Sequence, residues 1–195
     1  MTLNYNYYEL QLGRDRAGPK ALAEHVRATL GPAAVAVFSP LLGFASNQAL
    51  VLTEGSAASE AIMRAPGVVS AERHRLTPTI RPADGARPAA MGVYVHNWFT
   101  IDAKGLDEFV KLSGEAWPDF EGHFETRIFG LFAAEPSKDD LMEGARRLLL
   151  MTGYRDLNEW QKSRRPAETA RNAFARRREL TRVSLARACV LVPAG

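Results

Sequence analysis

The chain has 195 residues, of which 46% are hydrophobic and 24% charged, and these proportions are typical of a globular protein rather than a disordered one. No stretch of 18 uncharged apolar residues is present, so the sequence predicts no membrane-spanning helix. Residues 1–5 lack the basic segment and apolar run of a secretory signal, and the single cysteine, Cys189, excludes an internal disulfide. We therefore expect a cytoplasmic protein, with Cys189 as a small buried strand residue.

The first half of the chain predicts six elements in the order strand, helix, strand, strand, helix, strand. A Tyr-rich run predicts the first strand, and Pro19 suits the first turn of the helix that follows. Ser56 is placed to cap the second helix. The predicted elements are a strand over 4–12, a helix over 19–30, strands over 34–38 and 48–52, a helix over 56–64 and a strand over 68–76.

The second half repeats this order after a segment rich in Pro and Gly. This segment is the best linker candidate, and it divides the chain into a first unit (1–81), a linker (82–88) and a second unit (89–195). Pro118 is expected to disrupt the first helix of the second unit, with a short helix to position 123 as an alternative continuation. The predicted elements are a strand over 93–101, a helix over 105–117, strands over 126–134 and 147–152, helices over 157–163 and 166–182 and a strand over 184–192.

This repeated order indicates a tandem ferredoxin-like α+β protein. Right-handed crossovers place both helices of each unit on one face of a four-stranded antiparallel sheet. Each sheet then has a bare face, and the two bare faces are expected to pack on each other. The sequence therefore predicts two packed four-stranded sheets that form a pseudo-dimeric α/β barrel within one chain.

Short segments, most of them in the second unit, carry a family resemblance. They are Val93-Tyr94-Val95-His96-Asn97-Trp98-Phe99, Lys104-Gly105-Leu106-Asp107-Glu108-Phe109, Glu115-Ala116-Trp117-Pro118, Phe129-Gly130-Leu131-Phe132, residues 148–157, and Tyr8-Glu9-Leu10-Gln11-Leu12 in the first unit. With these segments the chain resembles the NIPSNAP family of the dimeric α/β-barrel superfamily. Gln11 stands where members usually have Arg, and Val95-His96 stands where Glu-Leu is common. The resemblance implies the tandem fold, and superfamily relatives include cofactor-independent monooxygenases of aromatic polyketides and haem-degrading enzymes.

Motifs of several enzyme classes are missing from the sequence. The four histidines show no His-x-x-x-His spacing, and a single cysteine cannot form a Cys-x-x-Cys pair. There is no glycine-rich phosphate loop and no Gly-x-Ser-x-Gly elbow. We therefore predict no metal and no cofactor, and we exclude the usual hydrolase, kinase and dinucleotide-binding classes.

The strand that opens the second unit carries the main catalytic candidates. Alternation along a strand places Tyr94, His96 and Trp98 on one face. Asn97 and Phe99 share the opposite face, and the sequence does not decide which face lines a cavity. We predict His96 as a general base, because imidazole titrates near pH 6.5, and Asn97 as a donor to an oxyanion. Trp98, Tyr94 and Phe99 are predicted to form apolar walls around a substrate. In the alternative, His96 and Asn97 are buried residues satisfied by a backbone carbonyl, a neighbouring side chain or water.

A second candidate lies on the strand that closes the first unit. Glu72 and His74 share one face of this strand, and Arg73 and Arg75 share the other. If the first face is buried, Glu72 and His74 form an acid/base pair, and we predict His74 as catalytic. If the second face is buried, the two arginines form an anion site. The alternative to both is a solvated edge strand.

The opening strand of the first unit supplies the remaining site candidates. Glu9 and Gln11 share a face of this strand with Tyr7. If Leu10 and Leu12 face the helices, this polar face points into the space between the sheets. We therefore predict Glu9, Gln11 and Tyr7 as substrate-binding residues.

Basic residues concentrate near the C-terminus. Residues 162–187 include nine basic and two acidic residues, which leaves 16 basic and 20 acidic residues elsewhere and a charge of −4 on the remainder. The helix over 166–182 is expected to dock through Ala170, Ala173, Phe174 and Leu180 while its arginines stay in water. No nucleic-acid motif is present, and the acidic remainder would repel a long polyanion, so we predict no nucleic-acid binding.

These features predict a protein that binds a small apolar or aromatic molecule in a barrel cavity. We favour an enzyme that catalyses cofactor-independent oxygenation or an acid/base rearrangement of an aromatic, polyketide-like substrate. The alternative is a non-catalytic structural or interaction module, in which the barrel interior is only packed hydrophobic core. A cavity of about 300 Å³ or more that reaches residues 96–98 would favour ligand binding. We expect no membrane partner, and a homodimer stays an open alternative.

Overall fold

The first unit of the chain supplies four strands and two helices, in the order that the sequence predicts. The computed structural model describes residues 4–13, 18–55 and 59–193, apart from the side chains at positions 59 and 169. The elements are β1 (Tyr5–Leu12), α1 (Gly18–Leu30), a 3-10 turn (Gly31–Ala33), β2 (Ala34–Leu42), β3 (Gln48–Glu54), α2 (Ser59–Met63) and β4 (Val68–Pro78). The predicted cap at Ser56 lies outside the described residues.

The second unit repeats the order with two additional short helices. The elements are β5 (Val93–Asp102), a 3-10 turn (Ala103–Gly105), α3 (Leu106–His123), β6 (Thr126–Ala134), α4 (Lys138–Met142), β7 (Ala145–Tyr154), α5 (Leu157–Ser163), α6 (Glu168–Glu179) and β8 (Thr181–Leu191). The sequence predicted no helix at α4. It begins with a capping box in which Ser137 Oγ accepts from the Asp140 backbone N–H and the Asp140 carboxylate accepts from the Ser137 N–H.

Helix α3 continues through Pro118, so the predicted disruption is wrong. Proline removes one hydrogen bond from a helix interior and costs roughly 3 kcal/mol there. Phe109, Trp117 and Phe120 of α3 are buried against the sheet. Burial of a large apolar side chain contributes about 1.5–3 kcal/mol, so three such residues outweigh the proline.

The eight antiparallel strands form one closed barrel in the order β1-β3-β2-β8-β5-β7-β6-β4. Each unit alone has the strand order of a ferredoxin-like sheet, and the α+β pseudo-dimeric barrel is confirmed. In this barrel the two four-stranded sheets are joined edge to edge, with Phe38 of β2 opposite Leu191 of β8 and Leu76 of β4 opposite Ala134 of β6. Edge pairing satisfies backbone groups that two separate sheets would leave open.

Side chains alternate between the inside of the barrel and its helix-covered outside. On β1, Tyr5 and Tyr7 belong to the interior core, whereas Tyr8, Leu10 and Leu12 pack outward with the residues of α1. Leu10 and Leu12 thus face the helices, which is the condition under which Glu9 and Gln11 point into the barrel. A third core lies outside the second unit, between its strands and helices α3 and α6. The division of the chain at 82–88 stays a prediction, and this segment lies between β4 and β5.

No helix in the described ranges has the length and apolar character needed to cross a membrane. Within the same ranges, no three or more His, Cys, Asp or Glu side chains are grouped so that they could hold a metal ion.

Candidate functional site

Strand β5 divides the predicted site residues between two separate environments. Tyr94 and Trp98 pack with the core inside the barrel, and the fully buried His96 lies between them on the same face. Asn97 and Phe99 face outward and line a cavity beneath the helices of the second unit. The predicted residues on β5 therefore belong to two sites and not to one.

His96 is held inside the barrel by partners on both ring nitrogens. The Tyr7 hydroxyl lies 2.9 Å from Nδ1, and the Cys189 sulfur lies 3.5 Å from Nε2. The Phe38 ring meets the imidazole edge-on, with 4.6 Å between the ring centroids. Burial lowers the pKa of His96 to about 3, so the ring is neutral at physiological pH. This geometry supports the structural alternative for His96, and its role as a general base stays a prediction.

The buried polar groups of Tyr7 and Cys189 find their hydrogen-bond partners in the same cluster. If the Tyr7 hydroxyl donates to Nδ1, the N–H at Nε2 is directed to Cys189, whose thiol lies 3.7 Å from the Tyr94 carbonyl oxygen. One arrangement of protons thus satisfies the whole buried chain of polar groups. Cys189 is buried as predicted, and burial raises the pKa of its thiol.

The polar residues predicted on β1 and β4 gather at one end of the barrel. Glu9 accepts two hydrogen bonds from Arg187 of β8, one of them 2.8 Å long, and both side chains are largely buried. The His74 ring packs on Trp98, with 5.0 Å between centroids, and burial lowers the pKa of His74. His74 Nε2 lies 3.3 Å from the Glu72 carboxylate, but the Glu72 side chain is 70% exposed. The predicted acid/base pair therefore has one member in solvent.

Two further residues complete this end of the barrel. Gln11 is half-buried on the face that it shares with Glu9. Phe44 lies beneath the Arg187 guanidinium, 4.4 Å from it. Arg187 was not among the predicted site residues, although it supplies the counter-charge to Glu9.

A cavity of about 850 Å³ lies on the outside of the second unit, between its sheet and helices α3, α5 and α6. Its floor consists of outward-facing residues of β5 to β8, and its walls combine aromatic side chains with arginines. The lining residues are Asn97, Phe99, Trp117, Phe120, Ile128, Leu150, Thr152, Tyr154, Trp160, Ser163, Arg164, Arg165, Pro166, Arg171, Phe174, Arg177, Arg178, Thr181, Ser184 and Ala186. The volume exceeds the threshold of about 300 Å³ set for a ligand site, and Asn97 is the predicted catalytic residue that the cavity reaches.

Several residues that line this cavity carry hydrogen-bond donors. Asn97 Oδ1 accepts a 3.4 Å hydrogen bond from Ser184, and its amide NH₂ has no partner among the described residues. The indole N–H of Trp117 is buried without a partner in the described part of the chain. Burial raises the pKa of Tyr154 to about 12, so its phenol stays protonated. These groups can donate hydrogen bonds to a polar substituent of a bound molecule.

Arg177 of α6 is the one cationic side chain of the cavity lining that is buried, with 7% of its surface exposed. Its guanidinium lies over the rings of Phe109, Phe99 and Phe174, at 4.5, 5.0 and 5.2 Å from their centroids. The expectation that all arginines of this helix stay in water is therefore wrong for Arg177. The sequence did contain a signal, because Arg177 follows Ala170 and Phe174 at helical spacing on the docking face.

The side chains that line the cavity include cations and hydrogen-bond donors but no carboxylate and no imidazole, as far as the chain is described. Haem iron needs an axial ligand such as His, Cys, Met or Tyr. Tyr154 is the only one of these types in the described lining, and its raised pKa disfavours the phenolate that iron would require. The residues present therefore do not fit haem ligation.

Comparisons with known proteins define the fold and leave the family open. No protein-family model matches the chain, and none of the curated proteins matches it. A "putative monooxygenase" from Lactobacillus acidophilus NCFM superposes with a TM-score of 0.61 at 9% identity, covering 98% of this chain and 94% of that one. An anthrone oxidase-like protein gives 0.61 at 12% identity over 99% and 92% of the two chains. A "putative chlorite dismutase" gives 0.59 at 13% identity over 100% and 97%. The chain thus shares the dimeric α/β-barrel fold of these proteins.

Proposed function

We propose that the protein binds a small, largely aromatic molecule in the cavity outside the second unit and acts on it as an enzyme. The observation that carries this proposal is the 850 Å³ volume beneath α3, α5 and α6, with aromatic walls and a few converging donors. Ligand sites usually occupy about 300–1,000 Å³ and combine apolar walls with a small number of placed polar groups. We also propose that the chain is a NIPSNAP-like protein, on the strength of the segments that resemble this family.

The proposed chemistry is oxygenation without a cofactor. The described cavity lining offers no carboxylate or imidazole to remove a proton, so the protein would act by stabilising the anionic form of its substrate. The free amide NH₂ of Asn97 and the indole N–H of Trp117 are suited to hold a phenolate or enolate oxygen. Such an anion is electron-rich and can react directly with O₂, and the aromatic walls would exclude water from it.

Binding can be tested with N-phenyl-1-naphthylamine, a neutral aromatic probe whose fluorescence rises in an apolar site. Ala186 lines the cavity and is exposed to it, so Ala186→Trp should fill part of the volume. We expect this variant to weaken probe binding by about 10-fold, or about 1.4 kcal/mol. Ala175→Trp is the matched control, because Ala175 is exposed on α6 and does not line the cavity. Equal binding by both variants and the parent would refute the proposed site.

Turnover can be tested with anthrone, the type of compound suggested by the description of one structural neighbour. Oxygen uptake that depends on the protein and falls in Asn97→Ala would support an oxygenase. The rival function is a non-catalytic binding or interaction module, and the absence of a carboxylate or imidazole general base from the described cavity lining favours it. Probe binding without oxygen uptake, for anthrone and for related acidic phenols, would favour that rival.

A further inference from the structure

Arg177 carries a buried positive charge for which the described residues supply no counter-charge. Its side chain forms no ion pair within the described ranges, and its Nε–H is buried without a hydrogen-bond partner. The three phenyl rings around it make cation–π contacts, but a phenyl ring carries neither a counter-charge nor a lone pair that could accept a hydrogen bond from the guanidinium. Buried guanidinium groups in proteins are normally paired with an acid.

The rim of the same cavity is also positive. Arg164, Arg165, Arg171 and Arg178 line it and are exposed, and none of them forms an ion pair with a described carboxylate. Arg176 on the same helix, by contrast, is neutralised by ion pairs with two glutamates. Cations that are not neutralised at the mouth of a low-dielectric cavity attract anions into it.

We propose that the ligand of this cavity is an aromatic acid whose anionic group pairs with Arg177. This inference rests on the proposed binding function and adds the class of ligand. The acidic group, such as a carboxylate or an ionised phenol, would accept hydrogen bonds from the unpaired N–H groups of Arg177. The aromatic part would pack against Phe99 and Phe174, which both line the cavity and contact the guanidinium. A charge-assisted hydrogen bond in a buried site is among the stronger polar contacts that a protein can offer.

A matched pair of probes separates charge recognition from apolar binding. 8-Anilino-1-naphthalenesulfonate has the aromatic framework of N-phenyl-1-naphthylamine and adds one sulfonate, which stands in for the acidic group. We expect the parent protein to bind the sulfonate at least about 10-fold more tightly than the neutral probe, as one charge-assisted hydrogen bond predicts. Arg177→Met should remove this preference, so that the sulfonate and the neutral probe bind with similar affinity.

Two further variants keep the result interpretable. Arg177→Lys retains the charge and should retain part of the preference for the sulfonate. Arg176→Met removes an exposed arginine of the same helix and should not change the affinity for either probe. Circular dichroism and thermal unfolding of each variant check that the fold is kept.

The outcomes distinguish the two proposals. If both probes bind equally well, or if Arg177→Met weakens both equally, the anion site is overturned and the binding function stands. If the sulfonate preference is the same in Arg177→Met as in the parent, the anion is bound elsewhere and the assignment to Arg177 is overturned. If neither probe binds, the proposed binding function is itself overturned, and the anion site falls with it.

Discussion

Replacing Arg177 by Met should make the ligand-free protein more stable, although the change removes a large buried side chain. Burial lowers the pKa of Arg177 from 12.5 to about 10, a difference that corresponds to about 3 kcal/mol of cost for the charged form. Because the folded-state pKa is the lower one, this cost is fully present below pH 10 and is lost only as the pH rises from about 10 to 12.5. At neutral pH the folded protein therefore bears all of it.

The three ring contacts offset part of this cost. Cation–π contacts contribute about 0.5–2 kcal/mol each, and contacts that share one guanidinium do not add fully. Met is unbranched and apolar, and it can occupy most of the space of the Arg177 side chain among the same rings. We therefore expect Arg177→Met to raise the free energy of unfolding by about 1–2 kcal/mol.

Urea unfolding at neutral pH without ligand measures this change. Arg176→Met is the control, because its side chain is exposed and forms ion pairs on the surface, so its loss should cost no more than about 1 kcal/mol. An aromatic sulfonate at about 100 times its Kd should stabilise the parent by about 2.7 kcal/mol and the Arg177→Met variant by much less. A clear destabilisation by Arg177→Met in the ligand-free protein would refute the view that this charge is buried and unpaired.

Two further predictions concern the fold. His96 is neutral when folded, with a pKa of about 3 against 6.5 when exposed, so stability should fall as the pH drops from about 6.5 toward 3, by up to about 1.4 kcal/mol per pH unit. His96→Gln should flatten this slope in urea titrations between about pH 5 and 7, and an unchanged slope would contradict the assignment. Gly92→Ala should destabilise the protein by about 2–4 kcal/mol, because its Cβ would lie 1.9 Å from a backbone carbonyl oxygen. Gly122→Ala is the control, because nothing lies within 4 Å of the added Cβ, and it should shift the thermal midpoint little. Equal destabilisation by the two substitutions would argue against the close packing at Gly92.

The order of strands and helices could be predicted because it depends on local patterns. Alternation of apolar residues, helical spacing, and breaks at Pro and Gly are each visible within about ten residues. The same alternation placed Leu10 and Leu12 on one face of β1, although it did not decide that this face is the outward one. Pro118 misled the prediction, because its local cost is outweighed by burial of Trp117 and Phe120 against a distant sheet.

The pairing of the two sheets through their edge strands could not be predicted in this way. Both the packed-sheet arrangement and the closed barrel bury the same faces of the strands. They differ in whether β2 meets β8 and β4 meets β6, and these contacts join strands from opposite halves of the chain. Backbone pairing across that distance leaves no local pattern in the side chains.

The sequence by itself determined which residues of β5 share a face, since the side-chain period of a strand is two. Only the tertiary structure decided that the face with His96 is filled, because Tyr7, Phe38 and Cys189 reach it from three other strands. It also decided that the face with Asn97 is open, because α5 and α6 cover it at a distance. Burial depends on what other elements bring to a residue, whereas alternation depends only on the strand that contains it.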